Sequence, residues 1–343
     1  MGNQTKSIAV VLAGAVARGA FEAGVIQALA NTDVRIVRIV AASAGALNGV
    51  VLASSVRGRS MRAGAEALRV LWRDNATWSE VFHVSFRDIF ARKGMSDQRQ
   101  LLALLRRHVP PSRPEDPADI HLRIVVAALN GVAGTIGGDT ATTFESTCDF
   151  DGQAFASREG LERVFAAATA SAALPVVFAP VGIDGLGPCI DGGTVNNTPM
   201  KWALGGDDGA DVDAVVVVAT SVAVRSGSAG PPGGLGIVDQ LADMLIDERL
   251  YRDLREAAQV NDALARLDGL VQQGVLSSDQ RDRVLDAFRW TGRRSVQIVQ
   301  IRPTAELRGS AFSGFFDANL RSEQLEAGFR RGQEVLRACG WLA

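Results

Sequence analysis

Histidine is scarce in this chain. Its 343 residues hold three, His83, His108 and His121, so everything after residue 121 lacks an imidazole for general-base chemistry. Cysteine is equally sparse. Cys148, Cys189 and Cys339 form no Cys-x-x-Cys pair and no two histidines stand four apart, so the ligand spacing of a zinc site is missing and no metal or cofactor is implied. Three widely separated cysteines also exclude a disulfide-built scaffold and fit a reducing compartment. Charge of either sign is not in excess: 36 basic against 38 acidic residues leave −2, which removes the electrostatic ground for nucleic acid. The start, Met1-Gly2-Asn3-Gln4-Thr5-Lys6, has no apolar signal-peptide region, and Lys6 stands where a myristoylation signal needs Ser or Thr; a cytoplasmic location is expected. Two uncharged runs, 39–56 and 165–183, approach bilayer length. One carries Asn48 within a small-residue turn region and the other Pro175 and Pro180, so both read as core of a buried sheet rather than as membrane spans.

What the chain does have is core. A hydrophobic content of 47% over 343 residues is enough for one large α/β unit. Strand-like runs at 7–12, 35–40, 122–128, 212–219 and 295–301 alternate with helical stretches. That alternation predicts a central, mostly parallel sheet with helices on both faces, a three-layer α/β/α fold. The Gly-, Pro- and Ser-rich loop 226–236 opens a helical segment, 237–290, before the chain returns to strand. The expected organisation is a single domain over 1–343 with a helical insertion at about 225–292 and a closing amphipathic helix at 325–336.

Ser43 lies in Val40-Ala41-Ala42-Ser43-Ala44-Gly45-Ala46, directly after the apolar run 36–40 and before a helical stretch at 47–54. A serine at a tight strand-to-helix bend is exposed above a helix N-terminus, whose amides and dipole favour the negative charge of acyl transfer. A small-residue turn feeding a core helix explains the same pattern without chemistry. A second small-residue loop, Gly14-Ala15-Val16-Ala17-Arg18-Gly19, follows the strand 7–12. It lacks the lysine and hydroxyl of a phosphate-binding P-loop, and Val16 occupies the position where a dinucleotide fingerprint needs glycine. An oxyanion hole needs only its backbone donors. The third feature is Asp191-Gly192-Gly193 after a short strand, either a carboxylate presented at a sheet edge or an ordinary Asp-Gly turn. Since no histidine follows Asp191, the acid-then-histidine order of an α/β-hydrolase triad is missing; a nucleophilic Ser43 needs another base, and a carboxylate is the obvious candidate.

Four ordered blocks over about residues 7–220 resemble the patatin-like phospholipases, serine acyl hydrolases with a catalytic dyad. The family's Gly-Gly-Gly-x-Arg/Lys-Gly loop matches Gly14–Gly19. Its Gly-x-Ser-x-Gly elbow matches Ala41-Ala42-Ser43-Ala44-Gly45. Its Ala-Ser-x-Ala-x-Pro-x-x-Phe-x-Pro block matches residues 170–180, and its Asp-Gly-Gly block matches Asp191-Gly192-Gly193. The resemblance implies Ser43 as nucleophile, Asp191 as general base, an elbow shaped by Ala41 and Gly45, and an oxyanion hole in the loop Gly14, Ala15, Val16, Ala17, Arg18, Gly19. Within that loop the amides of Ala15, Val16 and Ala17 are the expected donors and Arg18 the brace. Ala15, Val16 and Ala41 replace family glycines; a positive φ at a β-branched residue such as Val16 costs roughly 1–2 kcal/mol. The implied substrate is a lipid or other acyl ester, with peripheral membrane association. A soluble-ester carboxylesterase or thioesterase and a catalytically weak lipid-binding protein stay open as alternatives. Phe82, Phe86, Ile89 and Phe90, flanked by Arg87, Arg92 and Lys93, have the spacing of an interfacial helix, although a helix packed on the core is the simpler expectation. Phe312, Phe315 and Phe316 raise the same question. The run Arg57, Arg59, Arg62, Arg69 and Arg73 is a candidate head-group surface, with a solvated helix face as its simpler reading.

Overall fold

A computed structural model describes residues 5–58, 60–84, 96–113, 116, 119–136, 139–204, 212–223, 234–288, 290 and 294–342 of the chain. The sheet is built from β1 (Lys6–Leu12), β2 (Val34–Ala41), β5 (His121–Ile136), β6 (Asp139–Asp151), β7 (Val181–Ile183), β8 (Gly187–Asp191), β9 (Ala214–Val218) and β10 (Gln297–Ile301). Its order is β10-β9-β1-β2-β5-β8-β7, with β6 on β5. A separate two-stranded pair joins β3 (His83–Val84) to β4 (Ser96–Asp97). The pairs from β10 across to β5 are parallel, while β6, β7 and β8 pair antiparallel. The five runs expected from apolar sequence are the five parallel strands. They read as continuous apolar runs because both their faces are buried: Ile8, Val10 and Leu12 point into one core, Ala9 and Val11 into another.

The first core packs against α1 (Gly19–Leu29), α2 (Ala44–Gly58), α3 (Met61–Val70), α6 (Arg158–Ser171) and α11 (Ala318–Ala338). α4 (Trp78–Val81) and α5 (Arg99–His108) pack on each other, and α5 also on α2 and α6. The second core packs against α8 (Met200–Leu204), after the one-turn α7 (Gly193–Asn196), and against α9 (Gly234–Gln272) through Leu250 and Ala257. Those are the three layers. α9 and α10 (Ser278–Ala287) connect β9 to its parallel neighbour β10. β5 runs well past the expected 122–128 because its second half pairs only with β6, a one-sided strand without a continuous apolar run.

β6 pairs β5 along residues 121–127 and so occupies one edge of that stretch. β2 and β8 therefore share the other edge, β2 ending at Ala41↔Ile124 and β8 ending at Asp191↔Val126. The two strand ends face each other with only Val125 between them. No described helix is long and apolar enough to cross a membrane. The expected interfacial residues Phe86, Arg87, Ile89, Phe90, Arg92 and Lys93, and also Arg59, lie outside the described residues. Phe82 is buried among aromatic rings, stacked on Trp78 at 4.1 Å and Phe178 at 5.2 Å. Of the described residues of the basic run 57–73, only Arg57 is drawn inward, bonding Ser112 and the Asp116 carbonyl; Arg62 and Arg73 are exposed and Arg69 half-buried, reaching the Ala30 carbonyl, Asp74 and Glu66 respectively, which fits a solvated helix face.

α1 and α11 pack at backbone distance. A Cβ on Gly24 would lie 1.9 Å from the Leu325 carbonyl oxygen, and one on Gly328 would lie 1.9 Å from that of Phe21. Gly24→Ala or Gly328→Ala is therefore expected to destabilise by about 1–3 kcal/mol or more, since backbone must move apart. Gly269→Ala in α9, with nothing within 4 Å of the added carbon, should be neutral or gain up to about 1 kcal/mol. Urea midpoints of the three variants check this; equal loss at all three sites would contradict the close-packing account.

Candidate active site

The shared edge of β5 brings two side chains together. Ser43 follows the end of β2 at φ +54°, directly before α2. Its Oγ donates to Asp191 Oδ2 at 2.7 Å, and Asp191 is the last residue of β8. The other carboxylate oxygen accepts the Gly193 amide at 2.7 Å. Gly192 and Gly193 are required by crowding: a Cβ on the first would meet the Val125 oxygen at 2.0 Å, and one on the second Asn197 Oδ1 at 2.5 Å. Ser43 is 7% and Asp191 3% exposed. Burial is the main influence on the Asp191 carboxyl and pushes it up to about 6, against the pull of its bonds from Ser43 and Gly193.

The left-handed backbone at Ser43 is held by a residue whose part the sequence did not reveal. Ser171, at the end of α6, accepts the Ser43 amide at 2.9 Å and donates to the Val125 carbonyl at 2.6 Å. Its own carbonyl accepts the Gly192 amide. One hydroxyl thus spans the gap between the two strand ends. Ala41, where the family has glycine, is fully buried. Gly45 is crowded, since a Cβ there would lie 2.4 Å from the Leu12 carbonyl oxygen.

The loop 14–19 lies beside this pair, and most of its amides are taken. Gly14 donates to Asn197, Ala17 to Ala311, Arg18 to Ala15 and Gly19 to Val16. Asn197 also returns a side-chain bond to the Gly14 carbonyl, 3.1 Å, which ties the loop to the Asp191 block. Ala17 thus departs from its expected place among the donors: the Ala311 carbonyl has claimed its N–H. The amides of Ala15 and Val16 are left without an acceptor among the described residues. Val16 sits at φ +51° and Ala15 at −147°, so the strain anticipated for a β-branched residue falls on Val16. Arg18 Nη2 bonds the Gly309 carbonyl at 3.1 Å. Under α2, Asn48 joins Glu22 at 2.9 Å and Trp72 Nε1 at 2.7 Å. Glu22 is fully buried, and that burial drives its carboxyl well above the usual range.

Two compartments meet at Ser43, Asp191, Val16 and Leu174. One is walled by Leu47, Trp72, Phe82, Leu104, Phe178 and Phe315, with a cavity volume of about 60 Å³. The other, of about 590 Å³, is walled in part by Arg18, Thr194, Thr220, Ser221, Arg249 and Arg252. Phe312 and Phe315 thus line the apolar space, with Phe315 buried, while Phe316 is 67% exposed. The serine–carboxylate contact therefore opens on one side to an apolar space and on the other to a larger one that mixes apolar and charged walls.

The site is that of an α/β protein with a serine at a strand-to-helix bend and a buried carboxylate against it. A family model, patatin-like phospholipase, matches residues 10–204, more than half of the chain, and the protein belongs to that family of lipid acyl hydrolases. No curated protein matches it. Among solved structures it is similar to VipD from Legionella pneumophila, with 14% identity over 98% of this chain and 67% of that one at a TM-score of 0.44. It is also similar to ExoU of the Pseudomonas aeruginosa type III secretion system, solved with SpcU, with 15% identity over 96% and 70% at a TM-score of 0.30. At that distance neither likeness bears on this chain's site.

An acid whose folded-state value is raised holds its proton longer than the unfolded chain does, so folding stability falls as pH rises from about 4 to about 6 and is level above. Asp191→Asn removes the buried charge. It is expected to unfold at higher urea than wild type at pH 8, by about 1–3 kcal/mol, and to lose that advantage at pH 4. Equal differences at both pH values would contradict the burial account. Ser171→Ala is expected to cost about 1–3 kcal/mol, since it strands the Val125 carbonyl and the Ser43 amide, read from the same unfolding curves.

Proposed function

We propose that the protein is a serine acyl hydrolase that cleaves carboxylic ester bonds of lipids, of phospholipase A, lipase or esterase type, through a Ser43–Asp191 dyad and an acyl-enzyme intermediate. The observation that carries this reading is the 2.7 Å bond from Ser43 Oγ to a buried carboxylate, made where the apolar compartment meets the larger, mixed one. Asp191 takes the hydroxyl proton as Ser43 Oγ attacks the ester carbonyl. The tetrahedral oxyanion rests on the free amides of Ala15 and Val16, with the N-terminus of α2 adding its partial positive charge. Asp191 then returns the proton to the departing alkoxide, and a water deprotonated by the same carboxylate releases the acid. A carboxylate near 4 is a feeble base for a hydroxyl. At about 6 it is stronger by about two orders of magnitude and still ionised at neutral pH. The acyl chain lies in the apolar compartment, whose burial of methylenes favours binding by about 0.8 kcal/mol each.

The test is hydrolysis of a short and a long p-nitrophenyl ester by wild type, Ser43→Ala and Asp191→Asn. Wild type should turn over, and either substitution should lower kcat by about 10³-fold or more. The wild-type kcat/KM should rise with pH to a plateau, with an apparent pKa of about 6, because only the ionised Asp191 is a base. Turnover by Ser43→Ala at the wild-type rate would overturn the dyad. A rate gain for the longer chain, lost when Leu104→Trp fills the apolar compartment, would support the acyl assignment.

A further inference from the structure

The loop 14–19 is gripped by a segment from outside the family-matched residues 10–204. The Gly309 carbonyl accepts Arg18 Nη2 at 3.1 Å, and the Ala311 carbonyl accepts the Ala17 amide at 3.0 Å. Gly314 packs so closely on the same residue that a Cβ there would lie 3.0 Å from the Ala17 Cβ. Backbone held at a strained φ, as at Val16, persists only where its surroundings over-determine it. These three contacts fix the two residues that follow Val16. The segment 309–316 is fixed in turn by Arg321 of α11, which is 3% exposed. Its guanidinium donates to backbone: Nη1 to the Gly314 carbonyl at 2.7 Å, Nε to the Trp72 carbonyl at 2.7 Å and Nη2 to the Arg73 carbonyl at 3.1 Å. Trp72 and Arg73 belong to a wide turn, Leu71–Asn75, where Ala76 donates to Leu71 five residues back and Thr77 donates to Asn75. Their carbonyls are thereby left to the arginine. Among the described residues no carboxylate pairs with it. A buried charge satisfied by neutral carbonyls is costly, and its rigid fork joins two distant segments in a way that a lysine's point charge does not.

Both segments that Arg321 joins reach the site. Trp72 lines the apolar compartment and bonds Asn48, and Phe312 and Phe315 on either side of Gly314 line the same space. We propose that Arg321 is a positioning residue for ester hydrolysis: through Gly314 it holds residues 309–316 against Ala17 and Arg18, and so keeps the Ala15 and Val16 amides vacant and aimed at the oxyanion. The proposal rests on the dyad reading for its chemistry. Without the fork the segment retreats, Ala17 loses its acceptor, and Val16 relaxes toward negative φ and turns its amide away. The oxyanion exists only in the transition state, so the loss falls on kcat while KM stays.

The experiment compares wild type with Arg321→Lys, Gly314→Ala and Gly332→Ala. The first keeps the charge and loses the fork. The second presses on Ala17 while leaving the arginine in place, and decides the matter if the first does not fold. The third is a stability control on the same helix, its added Cβ 2.6 Å from that of Ala28 near the other end of α1. Urea midpoints rank the losses of stability. Turnover is measured on a short p-nitrophenyl ester and on its thionoester, whose C=S sulfur is a weak acceptor, so the ratio of the two kcat values reports the amide donors. Deuterium exchange of the Ala17 amide, followed by NMR, reports the grip without any turnover. We expect Arg321→Lys to lower kcat on the ester about 10- to 100-fold with KM within about two-fold. Its ester-to-thionoester ratio should shrink, and its Ala17 amide should exchange at least about 10-fold faster. Gly314→Ala should move all three in the same direction, and Gly332→Ala should lose stability while moving none. Activity that falls in step with stability in all three variants, at an unchanged ratio, overturns the proposal and leaves Arg321 a purely structural residue. Unchanged Ala17 exchange in folded Arg321→Lys and Gly314→Ala overturns it too. Faster Ala17 exchange in those two, in a protein whose Ser43→Ala variant turns over at the wild-type rate, supports the grip on the loop and overturns the dyad instead.

Discussion

The Val125 carbonyl is where the construction of the site can be seen. β2 and β8 arrive from opposite directions along one edge of β5 and stop one residue apart. Two strand ends meeting head to head leave a backbone oxygen with no ladder partner, and a buried, unsatisfied carbonyl is costly. Ser171 answers it with its hydroxyl proton, and the lone pairs of the same oxygen hold the Ser43 amide. The distance between nucleophile and carboxylate thus follows from sheet pairing, without any flexible segment between them. Everything else at the site is arranged on that frame: the loop 14–19 is tied to it through Asn197, and α2 rises from it.

The frame stores energy where the chemistry needs it. Left-handed backbone at Ser43 and at Val16 costs on the order of 1 kcal/mol or more apiece, with the β-branched residue the worse case. The larger stress is electrostatic. Raising Asp191 to about 6 corresponds to about 3 kcal/mol of disfavoured charge at neutral pH. That is a large fraction of a typical domain's net stability, and it is supported by two continuous cores on either side of the sheet. The buried Glu22–Asn48–Trp72 network joins α1, α2 and the segment after α3 beneath the elbow.

The parallel half of the sheet was legible because its strands are apolar on both faces, and Ser43 and Asp191 were legible as short motifs whose order and spacing agree. Other parts were not. β6 reads Asp-Thr-Ala-Thr-Thr-Phe-Glu-Ser-Thr, a half-exposed strand with no apolar run, and β7 is three residues long. The part played by Ser171 is invisible in sequence, since it depends on which carbonyl the meeting of β2 and β8 leaves unpaired. Which loop amides remain free depends on where distant carbonyls, those of Asn197 and Ala311, come to lie. Phe82 and Phe315 fitted a membrane face and a core-packed position alike, because aromatic spacing is the same for both; burial against other rings decides for the second.

The β5–β6 hairpin has a further consequence. Its ladder is regular from His121 to Ala127, then breaks until Val132↔Thr143, with Gly131 at φ +68° in the interruption. A slip of one residue in a strand turns every side chain to the other face. The break therefore acts as an expansion joint: insertions or deletions toward the hairpin tip can be absorbed there before they reach Val126, where the position of Asp191 is fixed. The outer hairpin is free to vary in length while the inner seven pairs hold their register.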